Sequence, residues 1–245
     1  MKRKQAIAAS FLIFTCILMM SGCSQVGEQR SPEEWLSLSY SGLAAMDQYA
    51  FTGSMSMKTE DGLEFKPEIF EGKVVDHQQL TLQTNSEEPL NWNPVQVLET
   101  LNHANEEVRM ANDTYDPETV TLMITEHTGI TKKRWEQRLH QQLDQLGAKM
   151  PAVGSPYRRE WKEELTRSHK QLDDMLASMQ AVTEYELVID RDRMLPLKME
   201  EKTSFSYKYD KKPISESRYT TVRFQSFNGA SSDTIQQSMK RVTMD

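Results

Sequence analysis

The side chains that most often bind metals or transfer protons are few and widely spaced in this chain. It has five histidines, and none lies in a His-Glu-x-x-His or His-x-His pattern. Glu136 and His140, like His169 and Asp173, are four residues apart, a spacing that is typical of pairs on a solvated helix surface. A zinc site needs three or four converging ligands. We therefore expect no metal and no other cofactor.

Patterns of nucleophilic and phosphate-binding sites are missing as well. The chain contains no Gly-x-Ser-x-Gly or Ser-x-x-Lys sequence, and its 10 glycines are too dispersed for a loop that cradles phosphate. Adjacent carboxylates such as Glu163 and Glu164 diverge on a helix. The formal net charge of −7 argues against binding to nucleic acid. The sequence thus predicts a protein that is not an enzyme and binds no nucleic acid.

Cys23 has the clearest chemistry, because it follows a segment typical of protein export. Residues 2–4 are Lys-Arg-Lys, residues 6–20 are almost entirely apolar, and Ser21 and Gly22 are small. The apolar run is too short and too close to the start for a transmembrane span. Small residues before the cysteine allow a peptidase to approach the backbone. The segment therefore predicts an export signal that is cleaved from the mature protein.

The sequence Met20-Ser21-Gly22-Cys23 resembles the lipobox of bacterial lipoproteins, with methionine where leucine is usual. The resemblance implies a diacylglyceryl group, with acyl chains such as palmitate, on the Cys23 sulfur. Two acyl chains anchor a protein durably in a membrane. The alternative is a secretory signal with a chance cysteine. Cleavage would leave 223 residues with a charge of −10, and Cys16 would be removed, so one chain could form no disulfide.

Apolar periodicity divides the rest of the chain into alternating groups of helices and strands. A helix starts at Ser31-Pro32, three strands follow, and a short helix starts at Asn93-Pro94. Two more strands precede two longer helices, the first capped by Thr131 and the second starting at Ser155-Pro156. Strands then continue to Phe227. Short turns join neighbouring strands, so we expect a mostly antiparallel sheet.

The helices carry apolar stripes that need a surface, and the sheet has one apolar face. The predicted fold is therefore α+β, with a single curved, mostly antiparallel β-sheet and helices against its concave face. The predicted organisation is a lipoprotein signal peptide over residues 1–22, a lipidated tether over 23–30 and a single domain over 31–245.

This order of elements resembles the LolA/LolB superfamily, and within it the LppX/LprG-type lipoproteins and related Gram-positive lipoproteins. The most suggestive segment runs from Tyr185 to Lys198, where a strand ends in Ile-Asp and returns through polar residues as Leu-Pro-Leu-Lys. The resemblance implies a half-barrel sheet with helices over its concave side. In several members the space between them holds a lipid or another apolar molecule.

Methionine and aromatic residues share strand and helix faces in this sequence, and methionine suits sites that accept varied apolar surfaces. We predict an apolar cavity between sheet and helices, and its expected lining is Tyr49, Phe51, Met55, Met57, Leu80, Leu82, Trp135, Leu139, Trp161, Leu165, Leu197, Met199, Phe205 and Tyr207. The alternative is that these residues form an ordinary hydrophobic core.

Together these features predict a protein anchored through Cys23 to the extracytoplasmic face of a cell membrane, where it binds a lipid or another apolar ligand. The alternative is an envelope sensor or interaction module that has a filled core and a protein partner. A hydrolase acting on the envelope is a third, weaker hypothesis. A large apolar void would favour the carrier, and a packed centre would favour the interaction module.

Overall fold

The described chain contains four α-helices and eight β-strands. The computed structural model describes residues 30–85, 92–111 and 116–229, and from Pro32 onward these form one compact unit. The helices are α1 (Pro32–Ala44), α2 (Pro94–Ala104), α3 (Thr128–Ala148) and α4 (Arg158–Ser178). The strands are β1 (Tyr49–Thr59), β2 (Glu68–Val75), β3 (Gln79–Thr84), β4 (Asn105–Met110), β5 (Thr119–Glu126), β6 (Gln180–Asp190), β7 (Pro196–Tyr209) and β8 (Lys212–Gln225).

All eight strands form one sheet in the order β3-β2-β1-β8-β7-β6-β5-β4. Every neighbouring pair is antiparallel. Pairing of β1 with β8 joins a first group of three strands to a second group of five. The sheet is not closed, because β3 and β4 are its two edges. The predicted fold class, a single antiparallel sheet with helices, is confirmed.

Alternation along the strands gives the sheet one buried face, which carries all four helices of the described chain. On β7, Met199 and Phe205 have the same parity and both are buried. Met199 packs in a cluster that includes Leu36 of α1 and Leu98 of α2. Phe205 packs in a second cluster with Trp135 of α3 and residues of α4. Helices α1 and α2 therefore pack on one part of this face, and α3 and α4 pack on another.

Two helix starts differ from the sequence prediction. Helix α3 is capped by His127, whose Nδ1 accepts a hydrogen bond from the Gly129 backbone at 3.2 Å, and not by Thr131. Thr131 lies inside the helix, and its hydroxyl donates a hydrogen bond to the buried carboxylate of Glu126. Helix α4 begins at Arg158, since Ser155 lies in a turn before it. The predicted helix start at Asn93-Pro94 is confirmed, and the Asn93 side chain caps the helix by accepting a hydrogen bond from the Val95 backbone at 3.0 Å.

Two glycines make room for aromatic rings where β1 and β2 pair. Phe51 is opposite Gly72, and Phe70 is opposite Gly53. A side chain on either glycine would clash with the ring of the phenylalanine facing it. The two rings meet edge to face with centroids 6.4 Å apart, and Trp92 packs against both. These glycines therefore allow an aromatic cluster to lie flat on the sheet.

We expect Gly72→Ala to destabilise the fold by about 1–3 kcal/mol, because the Phe51 ring must move out of a packed site. Urea unfolding followed by circular dichroism measures this loss. The matched control is Ser54→Ala on the exposed face of β1, which should change stability by less than about 0.5 kcal/mol. Equal stability of the two variants would contradict the packing described for this ring.

Candidate functional site

Buried polar side chains cross the inner face of the sheet between the two apolar clusters. They occupy inward positions on β5 to β8, where apolar residues are usual. In register, Thr183 faces Thr203, Thr203 faces Arg218, and Glu201 faces Thr220. We call this set the polar band, and its members are Glu126, Thr183, Glu201, Thr203, Arg218 and Thr220.

Glu126 at the end of β5 connects the sheet to helix α3. Its carboxylate is 0% exposed, and Oε2 accepts hydrogen bonds from the Thr131 hydroxyl at 2.6 Å and from Arg134 Nη2 at 2.8 Å. Arg134 also donates from Nη1 to the Tyr185 hydroxyl at 3.1 Å. Such charge-assisted hydrogen bonds are stronger than neutral ones. This network therefore fixes the first turns of α3 against β5 and β6.

Electrostatics within this network favour the charged form of Arg134. Burial by itself would lower the pKa of Arg134, but interactions with Tyr185, Glu126 and Glu201 raise it above the usual arginine value. Burial raises the pKa of the Tyr185 hydroxyl, and Glu201 raises it further. Tyr185 therefore stays neutral and accepts a hydrogen bond from the guanidinium group. Neither Arg134 nor Tyr185 therefore exchanges a proton near neutral pH.

Arg218 is the buried cation of the polar band, and its surroundings differ from those of the partly exposed Arg134. It is 6% exposed, and Nη2 donates to the Met55 sulfur, which is a weak acceptor. Its guanidinium carbon lies 4.8 Å from the ring centroid of Trp135. Arg138 of α3 approaches the same ring at 5.0 Å. Two cations thus approach one buried indole.

Two clefts open between α3 and the sheet on either side of these arginines. The first, here named the Met55 cleft, has a volume of about 230 Å³, and its lining includes Met55, Met57, Phe65, Trp135, Leu139 and Arg218. The second, the Trp92 cleft, has a volume of about 360 Å³, and its lining includes Trp92, Gln96, Arg134, Gln141, Glu201 and Arg218. Arg138, Trp135 and Gln142 line both. Lys66 and Glu68 also line the Met55 cleft, so it mixes apolar and charged side chains, whereas the Trp92 cleft is rich in amides and charges.

The residues predicted to line an apolar cavity fall into separate parts of the fold. Four of them line or adjoin the Met55 cleft: Met55, Met57, Trp135 and Leu139. Five belong to the larger apolar cluster or pack against it, and they are Tyr49, Phe51, Leu80, Leu82 and Met199. Phe205 and Tyr207 belong to the smaller cluster around Trp135. Burial raises the pKa of Tyr207 to about 12, and Glu216 adds to that shift.

The other three predicted residues lie outside both clefts and outside both apolar clusters. Trp161 is 37% exposed near the start of α4, and Leu165 is half-buried and close to Gly147 at the end of α3. Their helix touches the sheet cluster through its second half, at Leu172 and Leu176. Leu197 is half-buried at the start of β7. Cys23 lies outside the described residues.

Two histidines, His140 and His169, form ion pairs between helices and not along them. His140 of α3 lies 3.6 Å from Asp173 of α4, and His169 of α4 lies 3.7 Å from Asp144 of α3. The expected pairs of Glu136 with His140 and of His169 with Asp173 do not form ion pairs, since α3 and α4 pack side by side. No cluster of three metal-binding side chains occurs among the described residues. Nor does any helix of the described chain combine the length and apolar character needed to span a bilayer.

No protein-family model and no curated protein sequence matches the chain. Among solved structures, a LolA superfamily protein, NE2245 from Nitrosomonas europaea, is similar with a TM-score of 0.24 and 9% identity, over 80% of this chain and 92% of that chain. An acyl-CoA thioesterase II, TesB2 from Mycobacterium marinum, is similar with a TM-score of 0.12 and 7% identity, over 78% and 89%. Both TM-scores are low, so the fold assignment rests on the strand order and helix packing described above.

Proposed function

We propose that this chain is a lipoprotein held by Cys23 on the extracytoplasmic face of a bacterial membrane, and that it binds an apolar or amphiphilic ligand without chemical change. The anchor is inferred from the signal and lipobox pattern of residues 2–23. The likeness to LppX/LprG-type lipoproteins belongs to the same proposal. Membrane attachment places the binding domain next to a supply of lipids.

The observation that supports ligand binding is the Met55 cleft. Methionine and aromatic side chains from β1 and α3 face each other across about 230 Å³ of space, beside a second cleft of about 360 Å³. Small-molecule sites in proteins typically have volumes of about 300–1,000 Å³. The Trp92 cleft lies within this range and the adjoining Met55 cleft lies somewhat below it. The adaptable side chains of Met55 and Met57 suit an apolar group of variable shape.

The alternative, an envelope interaction module, is supported by the packing of the larger cluster. Leu36, Leu43 and Phe51 at its centre are completely buried, so this part of the interior is filled. Val153 and Tyr157, in the connection between α3 and α4, are strongly exposed. Exposed apolar residues of this kind are suited to contact with a partner. For such a module we expect no copurified ligand and one dominant crosslinked protein in cells.

Ligand binding is tested on protein extracted from bacterial membranes. Native mass spectrometry and lipid extraction should find a copurified small molecule with the unmodified chain. Met57→Trp fills the cleft, and we expect it to reduce the copurified amount several-fold. Lys58→Trp is the matched control, because Lys58 is the next residue on β1 and faces away from the helices. Absence of any ligand, or equal amounts in both variants, would contradict the carrier proposal.

A further inference from the structure

Arg218 is a buried cation, and the carboxylates that act on it electrostatically, Glu201 and Glu68, lie beyond ion-pair distance. Among the described residues, no carboxylate forms an ion pair with it, and its hydrogen bond is to a thioether sulfur. A guanidinium group has five N–H donors, so most of its bonding capacity is unused. Leaving such a group buried costs free energy. By contrast, Arg134 of α3, which is partly exposed, is paired with Glu126.

The electrostatic surroundings of Arg218 confirm that its charge is poorly compensated. Burial lowers its pKa to about 10, and the nearby Arg138 lowers it as well, whereas Glu201 and Glu68 act in the opposite direction without restoring the usual value. Arg218 therefore remains protonated at neutral pH. It does so in a site that stabilises its charge less well than water does.

Other donors without acceptors line the same space. Trp135 Nε1 and Trp92 Nε1 are both buried without a hydrogen-bond partner. Trp135 lines both clefts and Trp92 lines the second. Buried polar groups in folded proteins are nearly always hydrogen-bonded, so several unused donors in one place indicate a missing acceptor. A ligand with negatively charged oxygens would supply it.

We propose that Arg218, together with Arg138, binds the phosphate or carboxylate group of an anionic amphiphile whose apolar part lies in the Met55 cleft. Guanidinium groups match both oxyanions through paired hydrogen bonds. Met57, Phe65 and Leu139 provide the apolar contact next to the arginines. This inference rests on the proposed function and narrows its ligand from apolar molecules in general to anionic ones.

The test uses the full chain, purified from bacterial membranes, and soluble dihexanoyl lipids as probes. Binding is followed by tryptophan fluorescence for phosphatidic acid, phosphatidylcholine, diacylglycerol and inorganic phosphate. We expect phosphatidic acid to bind most tightly, and Arg218→Met to weaken its binding by about tenfold or more while diacylglycerol binding is unchanged. Arg223→Gln is the matched control, because Arg223 lies on the exposed face of the same strand.

Thermal unfolding of Arg218→Met distinguishes ligand binding from a structural role. Removing an uncompensated buried cation should leave the melting temperature unchanged or raise it, whereas removing a structural ion pair should lower it. A lowered melting temperature with unchanged binding of phosphatidic acid would overturn the proposal.

The lipid series separates failure of this inference from failure of the proposed function. If diacylglycerol binds as tightly as phosphatidic acid, the cleft binds a ligand, but the inference that this ligand is anionic is wrong. If inorganic phosphate binds as tightly as phosphatidic acid, the arginines form an oxyanion site and the amphiphile is wrong. If none of the lipids binds, both proposals fail.

Discussion

Glu126→Ala should destabilise the described fold by about 3 kcal/mol, because it removes the buried partner of an ion pair whose other member, Arg134, is partly exposed. The Thr131 hydroxyl and Arg134 would lose their shared acceptor, and a small void would remain at the end of β5. Glu126→Gln keeps an acceptor oxygen but loses the charge, so its loss should be smaller. Urea unfolding followed by circular dichroism gives the free energies.

Glu136→Ala is the matched control for Glu126→Ala. Glu136 lies on α3, in a half-exposed pair with Lys132 at 3.7 Å, and a pair of this kind contributes about 0.5 kcal/mol. Arg134→Met combined with Glu126→Ala should recover part of the loss, because no partly buried cation is left without its partner. If Glu126→Ala and Glu136→Ala were equally stable, Glu126 would not be the link between sheet and helix.

The link between Glu126 and α3 also affects the candidate site, because residues of α3 line both clefts. Arg134 and Arg138 are four residues apart on this helix, and both line the Trp92 cleft together with Trp135. Glu126 fixes the start of that helix at a defined place on β5 and β6. A polar network of this kind specifies position more strictly than apolar packing alone. In the polar band, Glu126 is thus ion-paired and links the sheet to α3, whereas Arg218 forms no ion pair with a described carboxylate.

The sequence predicted the layers of the fold because periodicity alone decides them. Alternating residues in β1, β5 and β6 and helical stripes elsewhere need only local spacing to be recognised. The inner face of β7 was predicted only where it is apolar, at Met199 and Phe205. Glu201 and Thr203 have the same parity and are equally buried, so strict alternation identifies them as inward residues.

The candidate site itself depends on contacts that local patterns do not contain. Arg218 has an inward parity on β8, but a lone arginine in a strand is usually solvated. Its burial follows from the position of Trp135 on α3, more than 80 residues earlier in the chain. Likewise, the apolar stripe of α4 predicted burial of Trp161, but only the second half of this helix reaches the sheet. Tertiary packing decided both cases.

The largest effect on the whole protein is expected from Cys23→Ala, which should abolish covalent lipid attachment. The thiol of Cys23 is the group that the lipobox pattern predicts to receive the diacylglyceryl chain. Burial of acyl chains in a bilayer contributes about 0.8 kcal/mol for each CH₂ group, so two chains account for durable anchoring. Labelling of growing cells with an alkyne fatty acid, followed by mass spectrometry of the N-terminal peptide, measures the attachment directly.

Cys16→Ala is the matched control, because Cys16 lies within the apolar run and leaves with the signal. We expect this variant to retain the label in full and to begin at Cys23 after cleavage. Membrane fractionation alone does not separate the variants, since an uncleaved apolar segment also holds a chain to the membrane. Label on Cys23→Ala, or loss of label from Cys16→Ala, would show that Cys23 is not the anchor and would favour an ordinary secretory signal. In that case the domain would bind its ligand without being anchored to the membrane.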